Sequence, residues 1–428
     1  MPFVQAKCPE CGGMLAVDSS KKTAVCQFCG EAFIVQEAIN NYNTYNTYNT
    51  THQYGDGAVV NVYEDQNKDF VIEAGVLKEY HGEDDCVVVP QNVKAIGDHC
   101  FENMPIKDIV LHNGIKKIGN CAFCLCSDLT NVTIQDGLTS IGKVAFKGCS
   151  GLQSIELPDS ITSIDDSAFS GCTGLQSINL PDNITSIGKW AFEDCTSLQS
   201  VKLPESITSI DSAFRGCTGL QSIELPNGIT SIDWAFRGCT NLQSIELPNS
   251  ITSIGESAFY GCTSLQSVKL PNNITAIDDY AFYGCTGLQS IELPNNITSI
   301  GESAFNGCTN LRSIDLPDNI TSIGKWAFYG CTSLQSIELP NGITSIGKCA
   351  FGRCDNLGLV RISEDKLYKY EDAFSDVVYK TTLKALNLAK SQEEKAQRKA
   401  DGLCPYCGGK FKGIFSLKCK KCGKPKDY

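Results

Sequence analysis

Residues 288–310 read LQSIELPNNITSIGESAFNGCTN, and variants of this segment recur along the chain every 22 or 23 residues. A period of that length is typical of solenoids, in which each unit buries its apolar side only by stacking on its neighbours. Each unit is anchored by a phenylalanine that usually follows an alanine. The thirteen anchors are Phe101, Phe123, Phe146, Phe169, Phe192, Phe214, Phe236, Phe259, Phe282, Phe305, Phe328, Phe351 and Phe374.

Each part of the unit predicts a structural element. The letters SIEL alternate polar and apolar residues, which predicts a strand with one buried face, and the proline that follows ends it because proline has no N–H. Ile297 and Ile300 predict a second short strand, and Ala304-Phe305 predict a turn that fills the interior. The units ending at Phe214 and Phe236 lack one residue at the same place, which indicates a tolerant loop there.

These units resemble the BspA-like (treponemal-type) leucine-rich repeat family, whose units read roughly LxxIxLPxxLxxIgxxAFxxC. The resemblance covers about residues 92–375. It implies a parallel-sheet solenoid used to recognise proteins or surfaces, and well-known members of the family are exported surface proteins. We therefore predict a mainly β fold: a right-handed leucine-rich-repeat solenoid of about thirteen units, flanked by two small four-cysteine zinc ribbons.

Paired CxxC motifs lie at both ends of the chain. A CxxC turn directs two thiolates to one point, and two such turns supply the tetrahedron that Zn²⁺ prefers. Iron in a rubredoxin-like site is the alternative metal. The segments resemble zinc ribbons broadly, so we expect two structural Zn²⁺ ions with no open coordination position. The predicted ligands are Cys8, Cys11, Cys26, Cys29, Cys404, Cys407, Cys419 and Cys422.

Composition and repeat phase together predict the domain boundaries. The expected segments are a zinc ribbon (1–36), a low-complexity Asn/Tyr/Thr linker (37–56), an entry cap (57–91), the solenoid (92–380), a helical spacer (381–400) and a basic zinc ribbon (401–428).

The net charge of −12 is unevenly distributed along the chain. From Lys380 onward there are 13 Lys/Arg and 4 Asp/Glu, so this tail carries +9. The acidic remainder argues against the whole chain binding nucleic acid. In the tail, Lys418, Lys420 and Lys421 lie among aromatic residues and could contact nucleic acid; the alternative is a solvated lysine surface.

Cysteine also recurs at one position of the repeat. In a stacked solenoid these residues would lie about 4.8 Å apart, which permits either a redox-sensitive ladder or simple packing of a small apolar side chain. We predict packing. Five further cysteines, Cys86, Cys100, Cys121, Cys124 and Cys349, fall outside this register and receive no predicted role. The ladder consists of Cys126, Cys149, Cys172, Cys195, Cys217, Cys239, Cys262, Cys285, Cys308, Cys331 and Cys354.

Variation between units concentrates around the Ala-Phe turn. Aromatic residues and arginine are the side-chain types most common in binding hot spots, so we predict that this edge contacts a protein partner. The alternative is that the rings merely cover the turn. The predicted contact residues are Trp190, Trp234, Arg237, Tyr260, Tyr280, Tyr283, Trp326 and Tyr329.

No catalytic constellation is apparent in the sequence. Residues 137–144 and 342–349 match GxxxxGK but lack the Ser or Thr that a phosphate loop needs next. We therefore predict a non-enzymatic protein-binding scaffold with structural zinc-ribbon ends. The alternatives are a zinc-ribbon nucleic-acid-associated factor that recruits a protein through its repeats, and a BspA-like surface adhesin. With no signal-peptide pattern seen, we expect a cytoplasmic location, with the surface as the alternative.

Overall fold

The computed structural model describes residues 69–401, 403–410, 419, 421–422 and 424, together with the backbone of six short strands nearer the N-terminus. These six strands form three antiparallel pairs: Phe3–Lys7 with Met14–Asp18, Thr23–Val25 with Ala32–Ile34, and His52–Tyr54 with Ala58–Val60. The third pair crosses the end of the predicted linker. The low-complexity sequence ends at Thr51, and the residues after it pair with a strand rich in valine.

The repeats form a solenoid with two parallel strand ladders, which confirms the predicted fold class. The first ladder follows the SIEL segments of the units and comprises Cys86–Val88, Asp108–Leu111, Asn131–Ile134, Ser154–Glu156, Ser177–Asn179, Ser244–Glu246, Ser267–Lys269, Ser336–Glu338 and Leu359–Arg361. The second follows the Ser-Ile pairs and comprises Ala95–Ile96, Lys117–Ile118, Ser140–Ile141, Ser163–Ile164, Ser186–Ile187, Ser253–Ile254, Ala276–Ile277, Ser299–Ile300, Ser322–Ile323 and Ser345–Ile346.

A third ladder of backbone hydrogen bonds runs through the Ala-Phe turns. Alternate amides donate to the next unit: Ser303 N to Lys325 O at 2.9 Å, Phe305 N to Ala327 O at 2.7 Å, and Gly307 N to Tyr329 O at 2.8 Å. Because buried backbone groups must be paired, this ladder allows an irregular turn to close the interior on its third side.

The phenylalanine anchors form a continuous column inside the solenoid. Neighbouring rings from Phe101 to Phe374 stack at centroid distances of 5.0–6.2 Å with interplanar angles of 2–11°. The 6.2 Å distance joins Phe214 and Phe236, the anchors of the two short units. In the same region the strand ladders reduce to single bridges, such as Ser209 with Ser231. The deletion is therefore tolerated, but it weakens the contact between units.

The ladder cysteines are buried and reduced, as the packing interpretation predicted. Each of the eleven thiols donates to the carbonyl oxygen of the phenylalanine in the preceding unit at 2.9–3.2 Å, for example Cys285 Sγ to Phe259 O at 3.0 Å. All are free cysteines. Burial raises their pKa, to about 11 for Cys126 and about 12 for Cys354, so they are protonated donors at neutral pH.

Both ends of the column are covered. At the start, the antiparallel strands Phe70–Glu73 and Val76–Tyr80 place the Tyr80 ring 5.4 Å from that of Phe101. The opposite end is covered by a helix at Glu364–Lys369, a 3-10 helix at Glu371–Ala373 and a long helix at Asp376–Ala400. No helix in the described ranges is both long and apolar enough to cross a membrane.

The long helix begins five residues before the predicted spacer, which was expected at 381–400. The side chain of Ser375 accepts a hydrogen bond from Val378 N and caps the helix, so the helix starts at Asp376. Val378 and Thr382 are buried. The first turns therefore cover the end of the array, and only the later part extends beyond it.

One backbone position is left-handed in twelve of the thirteen units. The residue two before each phenylalanine has a positive φ of 51–60° from His99 to Cys349, although none of these twelve residues is glycine. Such a conformation costs about 1–2 kcal/mol for a residue with a Cβ. It recurs because the turn ladder fixes the backbone in each unit, and the sequence pattern did not predict it.

Replacing Ser257 by glycine should stabilise the array. Ser257 has a φ of 52° and is almost fully buried, and among the described residues its hydroxyl has no hydrogen-bond partner. Glycine removes both the backbone strain and the unpaired hydroxyl, and it adds flexibility to the unfolded chain. Because the first two effects are larger than the third, we expect the free energy of unfolding to rise by about 1 kcal/mol. Denaturant midpoints would measure this. Ser303→Gly, at the same φ but relieving strain alone, is the control; no gain beyond that control would contradict the argument.

Stability should fall as pH rises above about 9, because the ladder thiols have a higher pKa in the folded than in the unfolded chain. The thiols contribute their full stabilisation below their pKa in the unfolded chain. This stabilisation is lost as pH rises towards their pKa in the folded chain, at up to about 1.4 kcal/mol per pH unit for each thiol that titrates. Denaturant midpoints measured at increasing pH should show a steeper decline for the natural protein than for the double variant Cys262→Ala, Cys285→Ala. Equal slopes, or rapid alkylation of the ladder thiols in folded protein, would contradict this placement.

Candidate functional site

We use the term ridge for two residue positions in each unit: the residue two before the phenylalanine anchor, and the residue directly after that anchor. The structure places all eight predicted contact residues on the ridge. At the first position are Trp190, Trp234, Tyr280 and Trp326, and at the second are Arg237, Tyr260, Tyr283 and Tyr329. The left-handed backbone described above is the first ridge position.

Five of the eight residues form one cluster across three consecutive units. The guanidinium carbon of Arg237 lies 4.8 Å from the ring centroid of Trp234 and 4.2 Å from that of Tyr260. Tyr260 stacks on Tyr283 with centroids 4.6 Å apart, and Tyr283 lies 6.2 Å from Tyr280. All five side chains are partly exposed. We call this set, Trp234, Arg237, Tyr260, Tyr280 and Tyr283, the aromatic cluster.

The other three predicted residues do not join this cluster. Trp326 lies under the ammonium group of Lys325, whose Nζ is 3.6 Å from the ring centroid. The guanidinium carbon of Arg353 lies 5.7 Å from the ring centroid of Tyr329. Trp190 is 39% exposed. The ridge therefore presents one contiguous aromatic patch and smaller separate ones. The contiguous patch forms where adjacent units carry aromatic residues or arginine at the ridge positions.

A groove that the sequence pattern did not predict runs along the Leu-Pro edge of the first strand ladder. It has a volume of about 560 Å³ and is lined by residues of three consecutive units, including Leu225, Pro248 and Leu270. Lys269 and Glu246, which pair with each other, also line it. A proline repeated at one position of each unit was the available signal, since it prevents the strands from continuing and leaves an edge.

Four cysteine side chains converge in the C-terminal tail, and we call Cys404, Cys407, Cys419 and Cys422 the cysteine cluster. Their sulfur atoms all lie within 4.8 Å of one another, with 3.6 Å between Cys404 and Cys422 and 3.5 Å between Cys407 and Cys419. A tetrahedral thiolate site with metal–sulfur bonds of about 2.3 Å has sulfur–sulfur edges of about 3.8 Å. The four residues could therefore hold a metal ion with little rearrangement.

Backbone groups shape the cysteine cluster. The Cys422 amide holds the pKa of the Cys419 thiol at about 6, aided by the Lys421 amide, whose nitrogen lies 3.4 Å from the sulfur. Gly409 lies directly against the cluster, because a Cβ there would lie 3.1 Å from Cys419 Sγ and 3.3 Å from Cys407 Sγ. Amides that stabilise a thiolate favour metal binding, since thiolate is the form that binds.

The structure describes only some of the remaining predicted site residues. Cys8, Cys11, Cys26 and Cys29 of the predicted N-terminal site lie outside the described residues, as do Lys418 and Lys420. Lys421 is exposed. Nearby, the Lys424 ammonium lies 4.2 Å from the ring centroid of Tyr406.

Comparison with known proteins agrees with this fold. The family described as "BspA type Leucine rich repeat region" matches in six copies, within residues 94–213, 140–234, 211–308 and 275–396. The chain therefore belongs to the BspA-type leucine-rich repeat family. No curated protein matches the sequence.

Solved bacterial structures show the same architecture. A leucine-rich repeat protein from Bacteroides ovatus is 32% identical, with 72% of this chain and 96% of that chain covered and a TM-score of 0.51. A leucine rich cell surface protein from Faecalibacterium prausnitzii is 31% identical, with the same coverage and a TM-score of 0.52. The pneumococcal vaccine antigen PcpA, at 20% identity, 72% and 89% coverage and a TM-score of 0.51, shares the fold.

Gly409→Ala should weaken metal binding by the tail, because the added methyl group would push apart the sulfurs of Cys407 and Cys419. We expect a loss of at least about tenfold in affinity for Co²⁺, followed by its thiolate charge-transfer absorption. Gly358→Ala is the control, since a Cβ there would meet only Gln335 O at 3.9 Å. Equal Co²⁺ affinity in the two variants would show that the spacing of these sulfurs does not depend on Gly409.

Proposed function

We propose that this protein is a non-enzymatic scaffold that binds a protein partner through the aromatic cluster on its ridge. The observation that carries the proposal is the contact set centred on Arg237, which joins Trp234 and Tyr260 into one partly exposed surface. Tryptophan, tyrosine and arginine contribute disproportionately to binding energy when a partner excludes water from them. The rings are already ordered by mutual contact, so a partner would lose little side-chain entropy on binding.

The outer surface of the first strand ladder is a weaker candidate. Its outward residues are mainly serine and acidic side chains, and its ion pairs, such as Lys269 with Glu246, are about 70% exposed. Exposed pairs of this kind contribute little to affinity, because water and salt screen them. That surface better fits a solvated coating.

We further propose that the cysteine cluster binds a structural Zn²⁺ and that the four N-terminal cysteines bind a second. The first site is supported by the tetrahedral spacing of its sulfurs. The second rests on the matching CxxC pairs in the sequence. With all four positions occupied by protein, either ion would stabilise its ribbon without supplying chemistry.

A nucleic-acid-binding tail is the second functional candidate, supported by the +9 charge from Lys380 onward. The Tyr406 ring, which would stack on a base, has Lys424 over it, so the ring is already in contact with a cation. We therefore rank this role below protein binding.

A cytoplasmic location fits the reduced state of the ladder thiols, because exported proteins meet oxidising conditions. The alternative is a surface location, as in the Faecalibacterium relative, whose description is a cell surface protein. Fractionation with an antibody against the native chain would separate the two.

Partner capture should depend on the aromatic cluster and not on the strand surface. In cross-linked pull-downs with and without nuclease, the natural chain should retain a partner that the variant Trp234→Ser, Arg237→Ser, Tyr260→Ser loses at least about tenfold. The variant Glu246→Ala, Lys269→Ala, on the first strand ladder of the same region, should retain it. Loss in both variants, or in neither, would reject the ridge as the binding surface; nuclease-sensitive capture would instead support the nucleic-acid role.

A further inference from the structure

The first two units carry metal-ligand side chains at both ridge positions. The earlier unit has His99 and Glu102, and the next has Cys121 and Cys124, in equivalent places. No other adjacent pair of units in the described array has four ligand-type residues there; each later unit has at most one, such as Glu193 or Cys349. Cys121 and Cys124 are among the cysteines that lie outside the buried ladder.

Three of these four side chains, those of His99, Glu102 and Cys121, meet at one point on the ridge. His99 Nδ1 lies 2.7 Å from a carboxylate oxygen of Glu102. A ligand atom from each of His99, Glu102 and Cys121 lies within 4.8 Å of the other two. Cys124 and Glu102 both lie near the Cys121 thiol. These atoms belong to two units and come together only because the units stack.

Backbone hydrogen bonds fix the relative position of these ligands. The His99 amide donates to Asn120 O, directly before Cys121, at 2.9 Å, and the Asn103 amide donates to Cys124 O at 2.7 Å. The left-handed backbone at His99 and Cys121, with φ of 60° and 54°, is the same in both units. Ligands held by a rigid backbone are preorganised, which lowers the entropy lost on binding an ion.

We propose that His99, Glu102 and Cys121 form a binding site for a divalent metal ion of the zinc type, distinct from the terminal cysteine motifs. Imidazole, carboxylate and thiolate are the ligands that Zn²⁺ takes in proteins, and with three of them a water molecule would occupy the fourth position. Cys121 is almost fully buried, whereas the side chains of His99 and Glu102 are 62% and 41% exposed. The ion would enter from solvent on the imidazole side, and the two exposed side chains would close over it. Binding releases the thiol proton of Cys121 to solvent.

The competing explanation is that His99 and Glu102 form an ordinary exposed pair beside two inert thiols. The two explanations differ in metal stoichiometry. Under the proposal, the full-length chain binds about one more equivalent of metal than the terminal motifs can hold. An exposed pair would add none.

The test uses the metal-free, fully reduced, full-length protein titrated with Co²⁺ and then Zn²⁺, with metal content measured after gel filtration. Cys121→Ser and Glu102→Gln should each lose about one equivalent, or weaken its binding at least about tenfold, and Cys121→Ser should also lose part of the thiolate-to-cobalt absorption. Cys349→Ser is the matched control, because Cys349 occupies the same ridge position with the same left-handed backbone, at φ 53°.

A second readout places the ion at this site independently of folding effects. Zn²⁺ should slow alkylation of Cys121 by at least about tenfold, as read by peptide mass spectrometry, and leave Cys349 unchanged. Glu102→Gln changes only an exposed side chain, so a loss of binding there cannot come from misfolding. Equal metal content in Cys121→Ser, Glu102→Gln and Cys349→Ser, with no protection of Cys121, would overturn the proposal.

Discussion

The spacing between stacked units is the constraint on which the rest of this structure depends. Successive units must lie about 4.8 Å apart for their strands to pair. Every interior side chain must therefore pack against the equivalent side chain of the next unit at nearly that distance. Flat rings satisfy this by stacking, which explains why phenylalanine anchors the units at centroid distances of 5.0–6.2 Å. Cysteine satisfies it by donating its thiol proton to the phenylalanine carbonyl of the unit before. In both cases an interior side chain contacts the equivalent turn of the neighbouring unit.

The same constraint determines where variation is possible. Interior positions must suit both adjacent copies, so they scarcely change along the array. Most ridge side chains are at least partly exposed, so they are not required to match their neighbours, and there the units differ most. The aromatic cluster and the His99 site are therefore products of which residues happen to stand in adjacent units, on a scaffold that holds them at fixed separations.

The sequence predicted the repeat, the two strand ladders and the buried phenylalanines. It could do so because a position such as that of Ile291 has the same environment in every unit, and the same residue pattern therefore recurs many times. The third hydrogen-bond ladder and the left-handed residues were not predictable, because nothing about Trp234 or Ser257 as residue types indicates a positive φ. The Cys404 cluster was predictable from its spacing alone. The pairing of His99 with Cys121 was not, because it links residues whose proximity follows from the stacking register and not from local sequence.

The two short units have a further consequence for the mechanics of the array. In a one-dimensional stack, each unit is held only by its two neighbours, so cooperativity is limited by the weakest interface. Around Phe214 and Phe236 the rings are farthest apart, and the second strand ladder narrows to a single bridge between Ser209 and Ser231. We therefore expect the array to behave as two cooperative blocks joined at a seam, where fluctuations that open it under load would begin, beside the aromatic cluster and away from the covered ends.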